Sequence, residues 1–475
     1  MTKNKQLLHG IIILFLMIGF GFLPPFSTVT PYGMQILGIF IGLVYAWSIG
    51  IVYWPSLLAF ILFATVQHIP ILNMLANMMN QQIMTCLLIL IFCYALEVCG
   101  LMKWIGLWLL RQKIIKKGPY YMMAAFWVVS FVGSALCLSN LSIMIMLWSI
   151  FYTVAEQSGI KKYSTYSNIM LVGTAVISYV GSMFFPFALW PQSIFGIYAK
   201  ATGQPFVIPY GLYFGMILAS AVFTFVVGLV ATKYIIKPKI DFDLSKIQLS
   251  EEGSKMSRAQ KFGAFSIFFM VAFALLSLAL PTEWPLTAWV SNMNIYACMI
   301  LAIIILSFFK DEQTGDPIIT IEDVFRHGIN WQTFMILGLA FYMAGLLTSN
   351  ETGIFAALMG VMQPLLEGKS ATITIIALVL ISIIITNCLN NMVCASMIIP
   401  IAAALAPILN INITVLIIGL LIALIQGTAL PSGSAIGALL HANKEWMKAK
   451  DVYLYAIFYT IIVAISVCVL CIILN

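Results

Sequence analysis

The chain has 475 residues, of which 62% are apolar types and only 8% are charged, with a mean hydropathy of +1.06. A soluble domain carries roughly a quarter charged residues, so this chain cannot coat a core with charge, and lipid must solvate much of its surface. The net charge of +7 does not make it a nucleic-acid binder, because the basic residues sit in short loops rather than along one face.

The apolar runs are continuous and lack strand alternation, so they predict spanning helices rather than a barrel. The first, 7–23, follows Lys3 and Lys5 and ends in Leu23-Pro24-Pro25 with no small-residue cleavage site. It reads as a retained first helix and not a secretory signal. Runs at 32–53, 55–67 and 82–101 follow. Residues 120–155 then hold two helical lengths interrupted only by the polar pair Ser139-Asn140. No charged loop separates the arms, which predicts a re-entrant hairpin of two half-deep arms. The next run, 167–190, is broken by Gly and Pro between Gly181-Ser182 and Pro191, extending the segment to 200. A run at 207–232 closes the first half.

A charged and polar linker, 237–261, leads to runs at 262–280 and 294–309. In 318–331, Ile318, Ile321, Phe325 and Ile329 fall three or four apart with Glu322, Asp323 and Arg326 between them. This predicts an amphipathic helix on the cytoplasmic membrane surface. After a run at 332–348, residues 372–409 repeat the hairpin pattern with Asn390-Asn391 at the tip. The run at 413–430 is broken by Pro431-Ser432-Gly433-Ser434 and continues to 443, and 451–474 ends the chain. The expected architecture is an all-α polytopic membrane protein of about eleven transmembrane helices plus two re-entrant hairpins.

Basic residues orient it. With the N-terminus in the cytoplasm and each hairpin returning to its own side, 21 of the 23 Lys and Arg fall in cytoplasmic segments, leaving Lys200 and Lys369 outside. Basic loops stay cytoplasmic. The C-terminus is then extracytoplasmic, and the hairpins enter from opposite leaflets. The halves, 1–236 and 262–475, therefore form an inverted repeat. Paired discontinuous segments at matching places in two halves mark a transporter binding site.

Chemistry-bearing groups are scarce inside the membrane. Among Asp and Glu only Glu97 lies in an apolar run, near its cytoplasmic end, where snorkelling or pairing is the plain reading. His441 reads as a boundary histidine beside Lys444. The nine cysteines are scattered, without loop CxxC spacing, and read as packing residues. The absence of paired carboxylates, a histidine cluster or a Ser/His/Asp set argues against an enzyme and against a proton pump built on buried carboxylates. What remains is neutral and polar: Ser139 and Asn140 at one tip, Thr386, Asn390 and Asn391 at the other, with Gly181, Ser182 and Gln192, and Ser432, Gly433 and Ser434, at the broken helices. Such groups suit a small hard cation such as Na⁺ through carbonyl and side-chain oxygens, and an anion through half-helix N-termini. Taken singly, such residues are more often interhelical glue; the paired arrangement favours a site.

These motifs make the chain resemble the divalent anion:sodium symporter family, the dicarboxylate, citrate and sulfate carriers of the ion transporter superfamily, over most of its length. That family carries Ser-Asn-Thr at each tip and a Gly-Thr-Pro-Pro-Asn-like loop in each broken helix. Here the tips are Ser139-Asn140-Leu141 and Asn390-Asn391-Met392, and the loops are Ala188-Leu189-Trp190-Pro191-Gln192 and Leu430-Pro431-Ser432-Gly433-Ser434-Ala435. The resemblance implies Na⁺ ligands at Ser139, Asn140 and Ala188, with Ala135 where the family has a polar side chain. A second sodium set is Thr386, Asn390, Asn391 and Gly433. It implies substrate contacts at Asn140, Leu141, Asn391, Met392, Ser434, Ala435 and Gln192. Leu141 and Met392 replace both family threonines, which points away from an ordinary C4-dicarboxylate toward a larger or more apolar organic anion. The family further implies a homodimer whose transport domain slides like an elevator, with 318–331 as one linking arm.

The expected function is secondary transport of a di- or tricarboxylate-like organic anion in the cell membrane, coupled to sodium or working by exchange, with no resident cofactor and no nucleic-acid partner. A channel or a non-transporting scaffold subunit is the alternative. The absence of charged rings disfavours the channel.

Overall fold

The computed structural model describes residues 3–79, 81–137, 140–247, 255–279, 284–310, 315–366 and 369–475. Among them the chain is all-helical, with no β-strand beyond an isolated bridge between Lys310 and Pro317. In chain order the helices are α1 (Lys3–Met17), α2 (Pro31–Ser48), α3 (Tyr53–Val66), α4 (Ile71–Met78), α5 (Gln81–Val98), α6 (Leu101–Leu110), α7 (Pro119–Cys137), α8 (Asn140–Ser158), α9 (Thr165–Gly181), α10 (Leu189–Thr202) and α11 (Tyr210–Ala231). They continue as α12 (Arg258–Ala279), α13 (Pro285–Leu306), α14 (Ile321–Gly328), α15 (Trp331–Thr348), α16 (Ile354–Leu366), α17 (Ala371–Cys388), α18 (Asn391–Ile408), α19 (Ile413–Leu424), α20 (Ala435–Ala442) and α21 (Ala449–Leu474).

Among the described residues, seven helices are each long and apolar enough to cross a membrane: α1 with its continuation to Phe22, α7, α11, α15, α17, α18 and α21. Phe22, Phe268 and Ile473 are 81%, 70% and 72% exposed, a surface that only lipid solvates without penalty. The protein is a polytopic helical membrane protein.

The run at 55–67 becomes α3, whose 14 residues reach only about 21 Å at 1.5 Å per residue. A 116° bend then turns the chain into α4, so this run is not the simple crossing that its apolarity suggests. The residue at the bend, His68, takes a positive φ of 54°, and the His68 N–H bonds the Thr65 carbonyl at 3.3 Å.

Two compact units can be distinguished: Met1–Ile83 with Trp190–Thr224 and Trp331–Asn475, and Met84–Leu189 with Phe225–Asn330. Each draws on both halves of the sequence.

In the second of these units, α7 and α8 form an antiparallel pair. Gly133 of α7 faces Ile143 of α8, and Phe126 meets Phe151 edge-on at 6.3 Å, so the paired positions move apart symmetrically about the tip. Helix α9 returns parallel to α7: the Tyr166 hydroxyl bonds the Pro119 carbonyl at 2.7 Å, and the Ser130 hydroxyl bonds the Thr174 carbonyl at 2.8 Å. Gly181 is what lets the far ends close. A Cβ there would lie 2.4 Å from the Phe131 carbonyl oxygen, a distance no side chain tolerates.

The first unit repeats the theme. Asn390 and its neighbour Leu389 alone separate α17 from α18, and α19 and α21 run antiparallel. The thiol of Cys471 lies 3.8 Å from the Val415 carbonyl, and Thr428 meets Thr460 at 3.5 Å. The arms of both hairpins are 18 or 19 residues long, about 27–28 Å at the α-helical rise. They are longer than the half-deep arms that the polar tips suggest, because the apolar pattern runs unbroken to each tip.

The surface helix is shorter than 318–331. Thr320 caps α14 by accepting from the Asp323 N–H at 3.1 Å, and the His327 ring meets the Asp323 carboxylate at 2.8 Å. Val324 is fully buried and Gly328 packs on Ile91 and Tyr94, whereas Ile321 and Phe325 are exposed. The helix therefore presents one apolar edge to the protein and leaves another free.

Candidate functional site

The tip at Asn390-Asn391 lies against the break in 413–443. Helix α19 ends at Leu424, and α20 begins only at Ala435. Pro431, Ser432, Gly433 and Ser434 all fall in this gap, as the sequence pattern predicts. The Asn391 Nδ2 donates to the Ile425 carbonyl at 3.3 Å, and the Asn387 Oδ1 accepts the Ala429 N–H at 2.8 Å. The tip amides thus satisfy backbone groups that the break leaves without helical partners.

Protons are short at this point. The Thr386 hydroxyl lies 2.8 Å from Asn391 Oδ1 and also within bonding distance of the Leu424 carbonyl. A hydroxyl has one hydrogen to donate. Turning the Asn391 amide over would place its oxygen against the Ile425 carbonyl, so the orientation with Oδ1 toward Thr386 is the one the network favours. Three oxygens therefore share a single proton, in a place where Thr386 is fully buried and Asn391 is nearly so.

Two glycines bring more oxygens. A Cβ on Gly427 would lie 2.5 Å from Asn391 Oδ1, 2.8 Å from the Thr386 carbonyl and 3.0 Å from the Gly433 carbonyl. A Cβ on Gly433 would lie 2.7 Å from the Thr386 carbonyl and 2.9 Å from that of Asn387. Thr386 and Asn387 belong to the last turn of α17, where carbonyls lack intrahelical partners and carry the negative end of the helix dipole. The cluster is oxygen-rich, uncharged and suited to a small cation.

The neighbouring helix starts have the opposite polarity. Asn390 caps α18, its Oδ1 accepting the Met392 N–H at 2.9 Å, so this predicted ligand is engaged as a cap. Ser434 caps α20: its oxygen accepts from the Gly437 N–H at 2.9 Å, and its hydroxyl donates to the Gly427 carbonyl. Ala435 opens α20 and is exposed, while Met392 is buried. Positive dipole ends at α18 and α20 suit an anion. His441 also has a place here. Its Nε2 lies 2.8 Å from the Ala429 carbonyl, and its ring packs on Tyr453, tying α20 to the break.

Sequence reasoning missed two residues of this cluster and a third next to it in the chain. Asn387 sits beside the expected tip, Gly427 lies before the Pro-containing loop, and Gln426 reads as one more residue of an apolar run. Gln426 is fully buried, and neither its Oε1 nor its Nε2 has a hydrogen-bond partner among the described residues. A lone glutamine in a run of apolar residues was the available signal.

The first tip lies in the other unit. Ser139 is outside the described residues. Asn140 opens α8, and its Nδ2 is buried without a partner among the described residues. Leu141 is half-buried, and Ala188 is fully buried at the end of the break that follows Gly181. The Ser182 hydroxyl turns back to the Tyr179 carbonyl at 2.8 Å. Pro191 falls in the first turn of α10, where a missing N–H is harmless. Gln192, on the same turn, is half-buried. The described residues contain no group of three or more His, Cys, Asp or Glu that could hold a metal ion.

The chain has relatives among known proteins. The sequence profile of the citrate transporter family matches residues 6–423. The chain belongs to the citrate transporter family. Membership makes it a membrane-embedded transporter. The profile does not single out the divalent anion:sodium symporters that the tip motifs resemble. No curated protein sequence matches the chain. Among solved structures, the Alcanivorax borkumensis YdaH transporter is similar with a TM-score of 0.57 at 12% identity, over 84% of this chain and 86% of that one. Neisseria gonorrhoeae MtrF, described with a class of antimetabolite efflux pumps, is similar with a TM-score of 0.58 at 13% identity, over 98% of both chains. At such identities the likeness concerns the fold.

Proposed function

We propose that the protein is a secondary transporter of a di- or tricarboxylate-like organic anion, citrate being the first candidate, driven by a cation gradient with Na⁺ as the coupling ion or working by exchange. The observation that carries the reading is the proton-poor oxygen cluster of Thr386, Asn387, Asn391, Gly427 and Gly433. Neutral oxygens at the C-terminal end of α17 favour a cation. The N-terminal ends of α18 and α20 supply an adjacent anion site without Arg or Lys. In this reading the cation goes to Thr386, Asn391 and Gly433, the substrate carboxylates go to Asn391 and Ser434, and Asn140 serves in the same way at the other tip. The two halves act as an inverted repeat, and a homodimer with a sliding transport domain follows from the resemblance of the tips to the anion symporters.

Uptake into proteoliposomes tests this. Labelled citrate and C4-dicarboxylates are offered with Na⁺ or K⁺ outside. Saturable uptake of a carboxylate, stimulated by Na⁺ or by internal substrate, is the expected result. It should disappear in Asn140→Ala and Asn391→Ala. Undiminished uptake in both variants would remove the reading.

A further inference from the structure

We propose that the cavity at the ends of α5, α12 and α13 is a binding site for the phosphate-bearing headgroup of an anionic phospholipid. The cavity has a volume of about 620 Å³, within the roughly 300–1,000 Å³ range of small-ligand clefts. Its walls include Val98, Phe308, Phe309 and Ile318, and its charges are Arg258 and Lys310. No carboxylate lines it, and neither cation belongs to an ion pair among the described residues. Asp311 and Glu312, next in sequence, lie outside those residues.

The walls are fixed by specific contacts. Ser257 and Gln260 form a reciprocal cap at the start of α12: the Gln260 N–H donates to the Ser257 hydroxyl at 3.2 Å, and the Ser257 N–H donates to Gln260 Oε1 at 3.0 Å. The Gln260 Nε2 donates to the Gly100 carbonyl at 3.3 Å, holding α12 to the turn after α5. Opposite, the Ile318 N–H bonds the Phe309 carbonyl at 2.9 Å, and the rings of Phe262 and Phe309 meet at 5.5 Å. The pocket is thus built of three helix ends and a pinned strand-like segment.

Its chemistry is amphipathic. A soluble phosphate needs only the two cations. A lipid also uses the apolar wall, and Phe308 is 76% exposed beside the charges. Lys255 and Lys261 extend the basic field, and the segment 255–261 contains no acid. Basic residues at the cytoplasmic end of a membrane helix attract anionic headgroups. This site is separate from the transport reading above, and neither depends on the other.

The full-length protein, stripped of lipid in neutral detergent, is offered phosphatidylglycerol, phosphatidylcholine of the same chains, or glycerol phosphate. Retained lipid is counted by native mass spectrometry, and the melting temperature is recorded. The wild type should retain phosphatidylglycerol over phosphatidylcholine by a factor on the order of ten. Arg258→Gln with Lys310→Gln should abolish that preference, and the charge-keeping pair Arg258→Lys with Lys310→Arg should preserve it, which guards against a mere folding defect. Lys116→Gln with Lys117→Gln removes the same charge elsewhere and should leave the preference intact. Preference unchanged by the first pair, or lost equally in the control pair, overturns the site. A thermal shift from glycerol phosphate equal to that from the lipid overturns the lipid assignment.

Discussion

The Thr386 hydroxyl and the side-chain oxygen of Asn391 stand 2.8 Å apart across the two-residue break between α17 and α18. This contact joins the last turn of one hairpin arm to the first residue of the other, and both arms to the gap after α19. It also gives the position its chemical character, because oxygens outnumber the hydrogens available to them.

Replacing Thr386 by Val keeps the shape but removes the hydroxyl hydrogen that Asn391 Oδ1 and the Leu424 carbonyl share. Asn391 Oδ1 and the Leu424 carbonyl are then buried without a donor, at about 1–3 kcal/mol for each unsatisfied group. Thr386→Val should lower the melting temperature and weaken cation stimulation of uptake at least about tenfold, equivalent to ~1.4 kcal/mol. Thr386→Ser should stay near wild type. Equal cation stimulation in the Val and Ser variants would detach this residue from the coupling.

Gly427→Ala should be far worse than its size suggests, since the new methyl lies 2.5 Å from Asn391 Oδ1 and 2.8 Å from a backbone carbonyl. Overpacking of this kind costs about 1–3 kcal/mol, and here it also occupies the oxygen cluster. Gly215→Ala is the reference: nothing lies within 4 Å of its Cβ and it sits inside α11. It should be neutral or stabilising by about 0.5–1 kcal/mol. Thermal unfolding in detergent separates the two.

Gln426→Leu removes two buried polar atoms that have no partner among the described residues. An unpaired buried amide costs several kcal/mol in apolar surroundings, so the variant should melt higher than wild type in the absence of substrate. If the amide meets an ion or substrate during transport, uptake should fall at the same time. A variant with normal uptake assigns Gln426 no part in transport.

The distribution of basic residues predicts sidedness. A cysteine placed at Lys255 should react with an impermeant maleimide only from the cytoplasmic face, and one at Lys369 only from outside. A reporter fused after Asn475 should be active in its extracytoplasmic form. Labelling of both positions from one face contradicts the orientation.

The sequence alone was enough for the fold class and for the places where helices stop, at the Asn390-Asn391 tip and in the segments after Gly181 and Leu424. These depend on local facts: continuous apolarity, a polar pair in the middle of a run, and Gly or Pro where a helix cannot continue. The interruptions at Ser139-Asn140 and Asn390-Asn391 are each a polar pair in the middle of a mostly apolar run, a pattern read without tertiary information. The bend after α3 was hidden, since Gln67, His68 and Pro70 end the apolar run but do not say that the chain turns by 116° there. So was the face of α14 that packs inward, because Val324 and Ile321 are equally apolar, yet Val324 is buried and Ile321 exposed once Gly328 packs on Ile91 and Tyr94.

What tertiary structure alone decided is the membership of the oxygen cluster. Sequence spacing could nominate Thr386, Asn391 and Gly433, which are marked by polarity or by a broken helix. It could not nominate Gly427 and Asn387, nor reassign Asn390 to capping α18. Those roles arise from carbonyl directions and from the absence of a Cβ where two chain segments touch, as at Asn387 and Ala429, 42 residues apart. Backbone oxygens carry no side-chain signature, so a site built largely from them becomes visible only when the chain is folded.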